Sequence, residues 1–425
     1  MSSIHQIERS LAKGDALTAE RDCLALLADE PNHPDLITLL ALCEESRQQP
    51  DQALARLERV CLSHPDHARA HFHKGRLLMA QGAFDQAEKA LAKVVLLEPN
   101  HAPSRHLLGR IALRQRRLDD AVDHLKTTLK ADDRYSPAHC DLALALLEQG
   151  DVQGALESAG QALTLEGGVA EAHLAMGAVK LSQGHWEHAR DHLIQATDLD
   201  PDSAQGLLML AKAYQLGQHH RQALTALDRL SGTDKQRPQA RHARAISLAQ
   251  LDQPDLAREL WEALVSERPH VEAALHLVEL YLRISDRQAL AKLQNQVHQY
   301  EDEVPHLKRY LDAVCDALDG RLSHAMETFE DLVKISSESI SIRAGLWRAE
   351  LLLDSHESKQ AVLALQQLLE RHSPPPAVSL QMAEMAQRAG DSAFAVGCLD
   401  EALSLEGLPD TLRHKLSALR TELQR

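Results

Sequence analysis

The sequence predicts an all-α fold: a solenoid of about twelve helix-turn-helix repeats, closed by a C-terminal capping helix. Three observations in one register predict it. An Ala recurs at 34-residue steps, at Ala19, Ala53, Ala87, Ala121, Ala155, Ala189, Ala223 and Ala257. A Pro keeps the same register at Pro31, Pro65, Pro99, Pro201 and Pro269, and the gaps at Asp133 and Gly167 are filled by other turn residues. A third small residue recurs at Ala41, Gly75, Gly109, Ala143, Gly177, Ala211 and Ala245.

Residues 68–101 show what one repeat contains. Helix A is expected over residues 69–81, with apolar Phe72, Leu77, Leu78 and Met79 around Gly75. An interior Gly costs about 1 kcal/mol against Ala, so Gly75 predicts that another helix comes close. Gly82 ends this helix. Helix B is expected over residues 85–97, with Ala87, Leu91, Val94 and Val95 on one face at helical spacing. Pro99 follows where the chain can no longer continue a helix. Neither helix is long enough to stand alone, so stacked repeats must bury one another's apolar faces.

Taken in order, residues 1–33 read as a degenerate first repeat with Leu11, Leu17, Leu24 and Leu27 as its apolar face. Repeats fill residues 34–305. The polar stretch SGTDKQRP breaks the Pro punctuation after Leu230, and residues 272–305 are irregular, with the short turn ISDRQ and the polar run QNQVHQYEDE. Three further repeats occupy residues 306–408, marked by Gly320, Ala325 and Phe329, then Ala361 and Leu365, then Gly390, Ala395 and Leu399. The step from Ala325 to Ala361 is 36 residues, which places a two-residue insertion near ISSESIS. Residues 409–425 form the capping helix, with Asp410 as the expected N-cap and Leu412, Leu416, Leu419 and Leu423 on one face.

The Gly75-type, Ala87-type and Pro99-type positions at a 34-residue period resemble the tetratricopeptide repeat (TPR) family. The resemblance covers nearly the whole chain and implies a right-handed superhelix in which helix A lines the concave side. The family's Trp at the start of helix A is replaced by His71, His139 and His173, which are expected to pack between helices. The Asn and Lys of the family's carboxylate clamp for chaperone tails are missing, which disfavours that role. The Asn-lined groove of the sugar-transferase members is missing too, since the chain holds only Asn32, Asn100 and Asn295.

Composition narrows the function. Aromatic residues are 3% and hydrophobic residues 44%, the profile of an Ala/Leu-rich helical stack. A net charge of −16 argues against a nucleic-acid or anionic-membrane surface. No apolar run approaches a spanning helix, and MSSIHQIERS lacks the apolar stretch of a signal peptide. Six cysteines without a CxxC motif fit a reducing cytoplasm rather than a disulfide framework. The sequence holds no Gly-rich phosphate loop, HExxH or GxSxG, and no cofactor is expected.

The expected function is a non-enzymatic scaffold or adaptor, an assembly or regulatory factor that holds a partner segment in its concave groove. Three residues on helix A, spaced i, i+4 and i+7, share one face. This places Phe72, Arg76 and Met79, then His106, Arg110 and Leu113, then Cys140, Leu144 and Leu147, then Leu174, Ala178 and Leu181 in the groove. Arg69 and Arg114 lie near the arginine pair. Arg76 and Arg110, one repeat apart, predict a partner bearing Asp, Glu or a C-terminal carboxylate, and the leucines predict apolar residues beside it. The competing readings are an arginine face paired with carboxylates such as Asp119 or Glu148, and leucines buried between neighbouring A helices. Outside the groove, His185, His188 and His192 in HWEHARDH offer i, i+4 spacing for two zinc ligands. A metal-dependent enzyme or metal-binding protein is therefore the alternative function; an RNA-binding helical-repeat protein is disfavoured by the acidity.

Overall fold

The computed structural model describes residues 4–405 and 407–424, and no strand occurs among them. Ten of the twelve helix pairs share one local cause. An apolar face is interrupted by a small residue, a left-handed turn follows, and a second helix folds back on the first.

The chain divides into two compact units, Met1–Val179 and Lys180–Arg425. The first contains α1 (Ile4–Ala12), α2 (Ala16–Asp29), α3 (Pro34–Ser46), α4 (Pro50–Ser63), α5 (Ala68–Ala80), α6 (Phe84–Leu97), α7 (Ala102–Arg114), α8 (Leu118–Ala131), α9 (Ser136–Gln149) and α10 (Val152–Leu165). The boundary falls near the end of α11 (Ala170–Ser182). The second continues with α12 (Trp186–Leu199), α13 (Ala204–Leu216), α14 (His220–Asp228), α15 (Gly232–Lys235), α16 (Pro238–Gln250), α17 (Pro254–Glu267), α18 (Val271–Arg283) and α19 (Arg287–His298). It ends with α20 (Pro305–Leu318), α21 (Leu322–Ile335), α22 (Glu338–Asp354), α23 (Ser358–Arg371), α24 (Pro376–Ala389), α25 (Ser392–Ser404) and α26 (Asp410–Leu423). The protein is thus an all-α repeat solenoid, with twelve A/B helix pairs among the described residues, a one-turn helix (α15) inside the seventh repeat, and a final helix after the last.

The turn from A to B is written in the backbone. Each of the twelve A/B turns has one residue at positive φ, from Gly14, Gln48 and Gly82 to Gly320, His356 and Gly390. Six of these are not Gly, although the left-handed region costs an ordinary L-residue roughly 1–2 kcal/mol. The fold tolerates that cost because the turn is fixed from both sides by packed helices. Asp side chains cap several B helices: Asp15, Asp151, Asp286 and Asp391 accept from the backbone N–H three residues on.

Packing explains the Ala that recurs every 34 residues and serves as the ruler of the repeat. The recurring Ala of helix B, at Ala19 through Ala257 and again at Ala325, Ala361 and Ala395, is fully buried in each repeat. At the crossing of α5 and α6, a Cβ added to Gly75 would lie 2.6 Å from Leu91 Cγ and 3.3 Å from the Ala87 carbonyl oxygen. Gly109 stands the same way over Leu125, at 2.8 Å. In the irregular repeat the ruler position, four residues after the Asp286 cap, holds buried Leu290 in place of Ala. In the first unit each A helix touches the next A helix, α1 to α3, α3 to α5, α5 to α7 and α7 to α9. This places the A helices on the closely spaced inner side.

Several sequence expectations are corrected. In the first repeat, Leu17 and Leu24 are 69% and 53% exposed; the core there is Ile7, Ala19 and Cys23, with Leu11 and Leu27 packed beside it. The two-residue insertion expected near ISSESIS falls at the start of α22, which is 17 residues long. Asp410 is the first helical residue of α26, not its cap; the cap position is Pro409, so Asp410 acts on the helix dipole instead. His71, His139 and His173 are half-buried. Beyond packing, each bonds through Nε2 to a turn carbonyl six residues earlier: Pro65 at 3.0 Å, Asp133 at 2.9 Å and Gly167 at 3.1 Å. A carbonyl can only accept, so each Nε2 donates. In the intervening repeat Arg105 Nε donates to the Pro99 carbonyl at 2.8 Å. The punctuation residues thus serve as acceptors that lock one repeat to the next, which explains why His can replace Trp here.

Closed crossings of this kind have no room for a larger side chain. Ala87→Leu and Ala155→Leu overfill them and should each cost roughly 1–3 kcal/mol, read as a lower midpoint in urea titrations. Near-neutral effects at both sites would place the crossing elsewhere.

Buried histidines make stability depend on pH. Burial, reinforced by Arg76 and Arg69, pushes His73 down to about 3. Burial, with His276 and His270 nearby, pushes His242 down to about 4 while its Nδ1 accepts from Trp261 Nε1 at 3.2 Å. The unfolded chain therefore binds protons below about 6.5 that the folded chain does not, and stability rises with pH across that window. This contribution is complete above about 6.5 and is lost progressively as the pH falls towards 4 for His242 and towards 3 for His73. His73→Phe should flatten the decline in unfolding free energy between about pH 6.5 and 5. An unchanged slope would mean that His73 does not stay neutral in the fold.

Candidate partner-binding groove

On the inner side of the first unit, α5, α7 and α9 open a cavity of about 460 Å³, whose walls include Phe72, Arg76, His106, Arg110, Tyr135 and Asp141. Helical spacing explains the arrangement: Phe72 and Arg76 lie one turn apart on α5, and His106 and Arg110 lie one turn apart on α7. The next repeat contributes Tyr135, at the turn before α9, and Asp141 within it.

The polar groups form a chain across the repeats. His106, 6% exposed, donates from Nε2 to Asp141 Oδ2 at 2.7 Å, and Arg110 Nε lies 3.6 Å from the same oxygen. Arg76 donates to Glu45 of the preceding repeat. The aromatic groups fix the apolar half. The Tyr135 ring meets His106 edge-on at 5.3 Å, and Phe72 meets His101 at 5.1 Å. Burial, with Asp141 beside it, raises the Tyr135 hydroxyl above its ordinary value. Cys140 shares the cavity wall, and burial pushes its thiol up to about 12, so it is a neutral wall atom and not a nucleophile.

Five of the residues placed in the groove by sequence therefore meet in this cavity: Phe72, Arg76, His106, Arg110 and Cys140. Arg69 lies apart; it donates to Glu8 on α1 at 2.8 Å. Arg114 is exposed and borders a smaller cavity with Met79, Phe84 and Arg110. The leucine strip does not line the cavity of α5, α7 and α9. Leu144, Leu147 and Leu174 are half-buried, and Leu147 packs against the core of α9 and α10. Leu181 lies in the second unit, where it packs beside the core and lines a separate cavity. Equal spacing along each helix selects a common face, but each helix turns slightly against its neighbour, so the same positions reach the seam between helices. The apolar surface comes instead from Phe72, Tyr135, Pro137 and Val169. Tyr135 and Val169 stand 34 residues apart, in register with His101 at the inter-repeat turns, so a periodic signal for them existed outside the helices.

The charge expectation is corrected as well. The arginines are not held together without an anion, because Glu45 and Asp141 already accompany them. Nor are their partners Asp119 or Glu148: Asp119 accepts from Gln149 and Glu148 pairs with Arg116. The His185 and His188 rings stand edge to face at 6.1 Å. Among the described residues no group of three or more His, Cys, Asp or Glu is arranged to hold a metal ion.

The comparison with protein families agrees with this architecture. A tetratricopeptide repeat family model matches residues 46–111, 78–143, 146–206 and 180–246. No curated protein sequence matches significantly. Solved structures similar in fold include TTC0263, a thermophilic TPR protein of Thermus thermophilus, at 22% identity, 43% coverage of this chain, 100% of that chain and a TM-score of 0.38. A TPR protein from Parabacteroides merdae is 12% identical, with 58% and 97% coverage and a TM-score of 0.47. YrrB, a TPR protein with an unusual peptide-binding site, is 16% identical, with 48% and 97% coverage and a TM-score of 0.33. With its 34-residue register, its twelve A/B helix pairs and the family match over the central repeats, the chain belongs to the tetratricopeptide repeat family.

Proposed function

We propose that this TPR protein is a non-enzymatic scaffold or adaptor that holds a segment of a partner protein against the inner face of its first unit. Proteins of this family generally mediate protein–protein interactions. The observation that carries the reading is the half-polar, half-aromatic cavity on α5, α7 and α9, where Arg76 and Arg110 of adjacent repeats face one opening. The segment it suits carries Asp, Glu or a C-terminal carboxylate beside an apolar residue.

Glu45 and Asp141 do not block such a partner. Arg110 is 43% exposed and lies 3.6 Å from Asp141, and Arg76 is 39% exposed. Pairs this open are worth only about 0–1 kcal/mol, so an incoming carboxylate can take over the guanidinium fork, which it fits bidentately. Phe72 and Tyr135 then cover the apolar neighbour. The six free cysteines suit a reducing compartment such as the cytoplasm. No helix among the described residues is long and apolar enough to cross a membrane.

The double change Arg76→Glu and Arg110→Glu tests this reading. It should weaken capture of identified partners at least tenfold in pull-downs at moderate salt, while helical content and melting temperature stay close to wild type. Retention of the same partners by the double variant would remove the arginines from the interface.

A further inference from the structure

The second unit closes on itself. Thr411, at the start of α26, donates to Gln218 Oε1 in the α13–α14 turn. Gly407 sits so near the α11–α12 turn that a Cβ there would lie 2.5 Å from the Gly184 carbonyl oxygen. Its φ of +76° independently disfavours other residues. A last loop packed this tightly on a first turn narrows the inner face of the unit.

That face holds a half-open cavity of about 740 Å³, within the range of true ligand sites. Its apolar wall comes from Ile342 and Leu346 on α22, Val378 on α24 and Leu405 beyond α25. The run Pro374, Pro375 and Pro376 forms part of the rim, and its fixed φ makes that rim stiff before anything binds.

The charges of the wall have one sign to spare. Arg343, 20% exposed on its side chain, donates to Glu279 Oε1 at 2.7 Å and to the Ser339 carbonyl at 3.2 Å. It is therefore committed to a bridge from α22 to α18. Two further carboxylates, Glu338 and Glu401, also line the cavity and are exposed. Among the described residues neither has an ion-pair partner. An apolar wall with two uncompensated carboxylates is complementary to a cation on an apolar stem.

We infer that the cavity of the second unit is a separate binding site for a partner-protein segment in which Lys or Arg stands beside an apolar residue. This site differs in place and in charge from the groove of α5, α7 and α9, and does not depend on that reading. The apolar neighbour fills the wall of Ile342, Leu346 and Val378. The cationic head meets Glu338 and Glu401.

The test is a random dodecapeptide phage library selected on the immobilised full-length protein. Enriched peptides are then measured by fluorescence anisotropy. A family carrying Lys or Arg next to an apolar residue should emerge. Its members should bind the Glu338→Lys, Glu401→Lys variant at least tenfold more weakly, the Glu338→Gln, Glu401→Gln variant with an intermediate loss, and the Arg76→Glu, Arg110→Glu variant unchanged. Both carboxylates are exposed, so the variants should keep the wild-type circular dichroism and melting curve; the Gln pair, which keeps the shape, serves as the readout if the Lys pair does not. The inference is overturned if no basic-apolar family is enriched, or if that family binds the unit-two variants as tightly as wild type.

Discussion

The structure depends on one contact repeated along the chain: a small residue on helix A facing a buried aliphatic side chain and an Ala on helix B. Where α5 crosses α6, Gly75 leaves no room even for a methyl group between itself and Leu91. That close approach sets the angle between the two helices, and the angle decides which side chains point to the next repeat. The left-handed residue in each A/B turn is its backbone counterpart. Turn and crossing specify the same geometry, which is how six non-Gly residues can occupy a conformation they would not choose alone.

From this constraint the groove follows. Closely spaced A helices bring residues of neighbouring repeats within reach of one another, so a site can be assembled from positions about 34 residues apart. His106 and Asp141 are an example: 35 residues apart in sequence and 2.7 Å apart in space. A longer reach lets Arg343 bridge to Glu279 across 64 residues. That pair joins A helices two repeats apart.

The sequence made the periodic part of this architecture legible and hid the rest for physical reasons. Ala87, Pro99 and Gly75 recur because packing demands small residues and turns at fixed places, so helix pairs could be counted directly. Leu17 and Leu24 misled because apolar residues at helical spacing need not face the core; a repeat protein leaves apolar side chains exposed where no neighbour covers them. The groove was half legible. Phe72, Arg76, His106 and Arg110 share two helix faces and could be grouped from spacing. Tyr135 and Asp141 come from a turn and a helix of the next repeat, and only the inter-repeat angle shows that they close the same cavity. The close approach of Gly407 to Gly184 was not legible at all, because no periodic rule relates residues 223 positions apart.

The most direct test is a double-mutant cycle at the A/B crossing, with unfolding free energies measured for Gly75→Ala, Leu91→Ala and the double variant. Leu91→Ala alone should cost about 2–5 kcal/mol, because it opens a cavity under a fully buried side chain. Gly75→Ala alone should also destabilise, even though Ala favours a helix by about 1 kcal/mol, because Leu91 cannot move to solvent. If the contact governs the repeat, the double variant will be more stable than the sum of the two losses by about 1–3 kcal/mol, since the new methyl group enters the space that Leu91 vacates. Additive losses, or a stabilising Gly75→Ala, would contradict the claim that this crossing sets the geometry of the solenoid.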